Sequence, residues 1–503
     1  MRDINEVLAL QDINQKIYYL KKGRKTELPD AVKLYNDWNP NRHEIITDEE
    51  KYPKIKVTLK PEKKYTDPTT GKEHTEPEQK KLVEPNRIAL PIEQDIVNIQ
   101  TAFTVGTEPV LDCKPEQSEE GLLTALKQVF KKNKIKYQNK QAVRSWLAEQ
   151  EVAEYWYVVK DDGFWAKLKR KVAGIFGQSR PEYRLKSVLW SPFRGDKLYP
   201  FFDDNGDLVA LSREYKKKDL DDKEILCFMT ITADRVYLWE MDNGWQEVSA
   251  FKHGFQKMPV IYMYRPEAYC DKIKTLRIRL EKLLSNYADC IDYHFFPILM
   301  LFGDVQNFSG EFKNRIVELT GMSADARYLT WQQVPDTIKY EAETLLSQIY
   351  GLTNTPRISF DSLKGTGNAV SGVAFDYVFM STHLNVENLN EVVGMFMQRR
   401  VNFLVSALGS INSSLEAASE TIDVDVQMQP YKLEDIKDKI DTAIKAKDGE
   451  IWSQQRAITF VGNVDSVLDE IEAIKEEQAE KQKNDIEKQK QLPPLKNSSN
   501  KSE

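Results

Sequence analysis

No CxxC pair, no HExxH or HxH, no GxSxG and no Cys/His dyad occurs in this 503-residue sequence. Each absence removes a chemistry. The four cysteines (Cys113, Cys227, Cys270 and Cys290) have neither zinc nor disulfide spacing and are expected to be free thiols in a reducing compartment. The five histidines (His43, His74, His253, His294 and His383) are scattered, so metal catalysis has no support. Carboxylates are plentiful but stand in no recognisable catalytic frame. No enzyme, cofactor or metal is expected. Long apolar runs are missing too. The longest, FFPILMLFG at residues 295–303, falls well short of the roughly 20 residues of a spanning helix. The opening MRDINEVLALQDINQ is polar and acidic where a signal peptide would be basic and then apolar. A membrane partner is therefore not expected. The chain also lacks a basic surplus: 71 Lys and Arg face 78 Asp and Glu, a net charge of −7. Proteins that grip nucleic acid tightly are usually basic, so any DNA contact must be local or weak.

What is present is a soluble, globular composition, 41% apolar and 30% charged, long enough for about two to four domains. Residues 1–84 read as irregular, with a charged Pro/Gly/Thr stretch at 67–85 that suggests an exposed loop or arm. Ile92, Ile96, Ile99 and Phe103 then recur at helical spacing, and Gly106 stops that helix. Two further helices are expected, one marked by Leu122, Leu126 and Phe130, the other by Val143, Trp146, Leu147 and Val152. Between Tyr183 and Tyr264 the period falls to two. KSVLW, LYPFFDD, LVALSREY, ILCFMTIT, RVYLWEM and PVIYMY are strand candidates, with DDNG and MDNG as turns.

A helix is expected from Pro266. Ile273, Leu276, Leu280, Leu283 and Tyr287, continued by Cys290 and His294, form a heptad-like seam with charged flanks. The seam serves either its own domain or a neighbouring subunit. A small mixed insert (297–334) separates it from a second helix at 335–353. From Val373 to Leu408 runs a helical pattern with no proline, about 50 Å long at 1.5 Å per residue, with Gly409 as its stop. A short strand at TIDVDVQMQP and further helices follow. Asp465 or Ser466 is a cap for the last of them, and the tail from 481 is disordered by composition.

SLKGTGNAVSGVAFDY, residues 362–377, has the glycine spacing of a phosphate loop. Val373 and Ala374 stand where a Walker loop needs Lys and Ser/Thr, and Val370 stands where a dinucleotide loop needs its third glycine. The plainer reading is a glycine loop between two helices. A nucleotide-binding enzyme and a cytosolic coiled-coil scaffold are the competing readings of the chain.

The order of parts resembles the portal (head-to-tail connector) proteins of tailed double-stranded-DNA bacteriophages. Four stretches carry the resemblance: NRIALPIEQDIVNIQTAFTVGTEPV, KMPVIYMYRPEAYCDKIKTLRIRLEKLLSNYADCIDYH, GNAVSGVAF and EIWSQQRAITFVGNVDSVLDEIEAIKEEQ. It spans roughly residues 85–480. The Val-Gly-x-x-Pro-Val of the first stretch departs slightly, the family more often having one residue between that glycine and proline. The resemblance implies an α+β portal-type fold with an N-terminal arm (1–84), a wing (85–265), a stem hairpin (266–296 and 335–356), a clip (297–334), a tunnel loop (357–372), a tunnel helix (373–409), a crown (410–480) and a disordered tail (481–503). It implies a homo-oligomeric ring, usually of twelve subunits, at one capsid vertex of the virion, made in the host cytoplasm. Its implied partners are double-stranded DNA, the major capsid protein, the packaging terminase and a tail adaptor. In the tunnel loop, Arg357, Lys364, Thr366 and Asn368, spaced by Gly365 and Gly367, would meet DNA. Lys272, Lys274, Arg277, Arg279 and Lys282 on the first stem helix either face the bore or form its solvated outer face.

Overall fold

The computed structural model describes residues 3–60, 62–66, 69, 71–160, 183–294, 298–308, 317–329, 335–357, 379–429, 431, 436–462 and 470–480. The chain forms two compact units, residues 1–358 with 381–431, and residues 359–380 with 432–503. Helix and sheet alternate throughout, and the class is α+β.

The N-terminal stretch departs from the expected irregular arm. It forms α1 (Ile4–Leu8), α2 (Ile13–Lys22), α3 (Ala31–Trp38) and α4 (Glu44–Thr47). Asp3, Asp12 and Asp30 cap the first three by accepting from backbone N–H groups. Ile4, Val7, Ile17 and Leu20 are buried against Tyr199, Phe201, Phe228 and Trp239 from far downstream. Each helix contributes only a few apolar residues, so no stripe stands out in the sequence. There follow β1 (Ile55–Lys60), β2 (Lys63–Thr66), β3 (Glu73–Glu76) and β4 (Gln79–Val83), with β1 antiparallel to β4 and β2 to β3.

α5 (Ile92–Val105) ends at Gly106 as expected and leads to β5 (Val110–Asp112). α6 (Glu120–Asn133) and α7 (Ile135–Glu149) are separated by Lys134, whose φ of 53° is left-handed. Val152, expected in the second of these helices, lies instead in β6 (Glu151–Lys160), because Gln150 at φ 72° turns the chain. The remaining strands are β7 (Tyr183–Trp190), β8 (Lys197–Phe202), β9 (Leu208–Lys218), β10 (Glu224–Thr232), β11 (Arg235–Met241), β12 (Trp245–Lys252) and β13 (Val260–Tyr264). β8 to β12 make an antiparallel meander in chain order, turning at Gly206 and Gly244, both with positive φ. β13, β6 and β7 form a second sheet with β6 in the middle. Trp190, Tyr262 and Val260 of this sheet pack with Leu198, Leu211 and Ile231 of the meander.

The helix expected from Pro266, α8 (Lys274–His294), starts instead after a 3-10 turn at Asp271–Ile273. The insert is a hairpin of β14 (Ile298–Phe308) and β15 (Val317–Leu329), followed by α9 (Pro335–Leu352). α10 (Met380–Ile411) is the long helix; residues 373–378 of its expected span lie outside the described residues. Gly409 does not stop it. A Cβ there would stand 2.1 Å from the Ser419 Oγ, so glycine lets α11 (Glu416–Thr421) fold back closely. β16 (Asp425–Gln427) then pairs with β5. One core joins α5, α7, β6, α8, α9 and α10, through Ile96, Trp146, Trp156, Leu280, Ile349 and Phe403 among others. In the second unit α12 (Ile436–Asp448) packs on α13 (Gln454–Val461), and residues 470–480 are helical. The expected caps Asp465 and Ser466 lie outside the described residues.

Candidate functional site

The basic residues of α8 and of the 3-10 turn before it are placed individually. Arg277 faces neither a bore nor solvent: its side chain is 2% exposed. Its guanidinium meets Glu93 Oε1 at 2.5 Å, Glu281 Oε2 at 3.0 Å and Asp37 Oδ1 at 3.4 Å. A buried charge persists only when paired, and here three carboxylates converge on it from α5, α8 and α3. His43 Nδ1 lies 2.7 Å from Glu281 Oε1, which also accepts the Leu90 N–H at 2.9 Å. Lys274 donates to Asp37 Oδ2 at 2.6 Å. Arg279, half-exposed, bridges α8 to Glu341 of α9 at 2.7 Å. Lys272 and Lys282 are exposed, the former with its ammonium 4.7 Å from the Tyr269 ring centroid. Of the seam, Ile273 and Leu280 are fully buried in the core of this chain, so these turns serve their own domain. Leu276, Leu283 and Tyr287 are partly buried.

Glu93 carries a pH dependence. Burial lifts its carboxyl from 4.5 to about 7, against the opposing pull of Arg277. Between these values the folded chain holds a proton that the unfolded chain has released. Stability from this group is therefore full below the unfolded value and falls as pH rises through 7. From about pH 5 to pH 7 the loss is about 2 kcal/mol. Glu93→Gln should remove this slope, measured by urea unfolding at both pH values; parallel slopes in variant and wild type would refute the assignment.

The glycine stretch is bounded by a second buried cluster. α9 ends at Leu352, and Asn354 turns the chain at φ 48°. Gln100 of α5, fully buried, directs its amide N–H group at Thr353 O (3.2 Å), Asn354 O (3.1 Å) and Thr355 Oγ1 (2.9 Å). Its Oε1 accepts from Asn385 Nδ2 at 2.9 Å, on the first turns of α10. Tyr269 donates to Thr353 O at 2.6 Å and accepts from Asn385 at 2.9 Å; Thr382 donates to Asn354 O at 2.8 Å. Burial pushes the Tyr269 phenol up to about 12, so it remains a donor at neutral pH. Residues 353–355 and 382–385 thus meet at one glutamine, and the chain between them departs from and returns to the same place. Arg357 is exposed just before that segment. Lys364, Gly365, Thr366, Gly367 and Asn368 lie outside the described residues.

A third cluster fixes α10. Arg400, 1% exposed, donates from Nε to both Glu154 oxygens of β6 (2.9 and 3.1 Å), from Nη2 to Oε2 (2.5 Å) and from Nη1 to Asn139 Oδ1 of α7 (2.6 Å). Sequence reasoning singled out neither Gln100 nor Arg400. The only signal was a polar residue on an apolar stripe, four positions after Ile96 and Phe396 respectively. Among the described residues, no group of His, Cys, Asp and Glu could hold a metal ion, and no helix is long and apolar enough to cross a membrane.

The sequence matches a family model described as phage portal protein, SPP1 Gp6-like, over residues 18–484. The chain belongs to this portal protein family. No curated protein matches it. The family is structural and not enzymatic, and membership makes the chain a bacteriophage capsid component that associates with DNA as an oligomeric ring. The match begins at residue 18, inside α2, so the helices expected to be an arm belong largely to the family's span.

Proposed function

We propose that twelve copies of this portal protein form a ring at one capsid vertex, with a central channel through which double-stranded DNA is packaged and later ejected. The packaging terminase docks first and the tail adaptor afterwards, while the major capsid protein surrounds the ring. In this reading α8 and α9 are the stem, the β14–β15 hairpin is the clip, residues 85–265 form the wing and residues 410–480 the crown. Residues 357–372 form the tunnel loop, and α10 is the tunnel helix. The observation that carries the reading is the anchoring of residues 353–355 and 382–385 on Gln100. A loop that DNA slides past must be long between its ends yet held firmly at them. Sliding also requires weak contact, which suits an acidic chain of net charge −7.

The test is Lys364→Ala combined with deletion of Gly365, Thr366 and Gly367. Rings counted by electron microscopy should be unchanged, while the DNA packaged per particle falls several-fold. Loss of the rings would instead assign the segment to assembly.

A further inference from the structure

The ribbon formed by β1 to β4 has no partner among the described residues beyond itself: β1 pairs only with β4, and β2 only with β3. A lone two-stranded hairpin is marginal in water, and three strands or a packed face are needed for independent stability. Its root is firmly held. Lys54 bridges to Glu84 at 2.5 Å across the two strands' bases. Asn86 donates from N to Asp289 (2.7 Å) and from Nδ2 to Asp292 (2.6 Å) on the last turns of α8. Arg87 donates to Ile46 O and Tyr52 O behind α4. A clamped root therefore carries a ribbon whose outer edges pair with no other strand among the described residues.

The faces are unsatisfied as well. Ile55 and Val83 are cross-strand partners and stand 41% and 40% exposed; Leu82, on the opposite face, is 59% exposed. Charge points to what covers them. Residues 54–84, which include the Lys54–Glu84 pair, hold eight lysines against six carboxylates, a net +2 inside a chain of net −7, so the rest of the chain carries −9. In a ring the neighbour of each ribbon is the next copy of the same chain, whose remaining residues carry net charge of the opposite sign.

We infer that this ribbon is an inter-subunit arm, which lays an unpaired strand edge and its apolar root on the acidic surface of a second copy of the chain. The pairing is a strand addition between protomers, rooted on the stem helix so that its direction is set by α8. The inference rests on the ring reading above.

The experiment is hydrogen–deuterium exchange on the full-length protein, as assembled rings and as monomers dissociated by dilution. Amides of residues 55–60 and 79–83 should exchange at least about tenfold more slowly in rings. A double variant, Ile55→Asp with Leu82→Asp, should shift native mass spectra from rings to monomers with unchanged circular dichroism. Rings whose ribbon amides exchange as fast as in monomers would overturn the inference and leave the ring reading standing. So would a variant that assembles normally but packages less DNA, which would assign the ribbon to DNA. A wild-type chain that forms no rings would remove both.

Discussion

Replacing Arg400 by methionine should lower the unfolding free energy by about 3–5 kcal/mol. Methionine fills much of the same space beside Phe396, over whose ring the guanidinium carbon sits 5.0 Å from the centroid. It cannot supply the donors. Glu154, fully buried on the central strand of its sheet, would keep a charge with no counter-ion, and Asn139 would lose its 2.6 Å donor. The cost comes from the stranded carboxylate more than from the lost attraction, because removing one member of a buried pair leaves the full desolvation penalty behind. The double variant Arg400→Met with Glu154→Leu should therefore recover most of the loss. Denaturant unfolding followed by circular dichroism decides it. A single-variant loss under about 1 kcal/mol would mean that water reaches Glu154 and screens it.

Gln100→Leu should cost about 3 kcal/mol, from several hydrogen bonds worth about 1 kcal/mol each and partial re-pairing of what remains. Thr353 O would keep its Tyr269 donor and Asn354 O its Thr382 donor, but Thr355 Oγ1 would lose its donor and Asn385 Nδ2 one of its two acceptors. The effect should exceed stability alone. With the glutamine gone, residues 353–355 stay joined to the start of α10, among the described residues, through the Thr382–Asn354 bond and the Tyr269 hydroxyl alone. Proteolysis between residues 355 and 382 should accelerate about tenfold or more, under conditions where the remaining chain is intact. Gln100→Glu is the control: it keeps size and the acceptor but loses the N–H donors. If Leu and Glu variants cut at the wild-type rate, the two ends are held by other means.

The legible parts of this fold were short apolar runs bounded by turns. RVYLWEM and ILCFMTIT are strands with both faces packed, Phe228 and Trp239 against the N-terminal helices and Ile231 and Val236 against the second sheet. β6 escaped because its buried residues include Glu151 and Glu154, so EVAE continued the preceding helix to the eye. Glu151 is tolerated there by Arg24 at 2.7 Å and by the Tyr262 hydroxyl at 2.6 Å, neither adjacent in sequence. Arg277 read as a charged flank of the seam for the same reason: its partners Glu93 and Asp37 lie on other helices. β12 escaped because WQEVSAFK forms a mostly exposed edge with a register shift, and its pattern is blurred. Short-range period announces where a chain turns its back on water. It does not announce where a distant charge makes a polar residue welcome inside.

Glu93 and Gln100 lie on the same helix, seven residues or two turns apart, which is about 10 Å along its axis. One holds the start of α8 through Arg277, the other gathers residues 353–355 and Asn385, which flank the glycine segment. Two turns of one helix therefore separate the contact that fixes the base of α8 from the contact that gathers residues 353–355 and Asn385, and neither contact passes through a sheet.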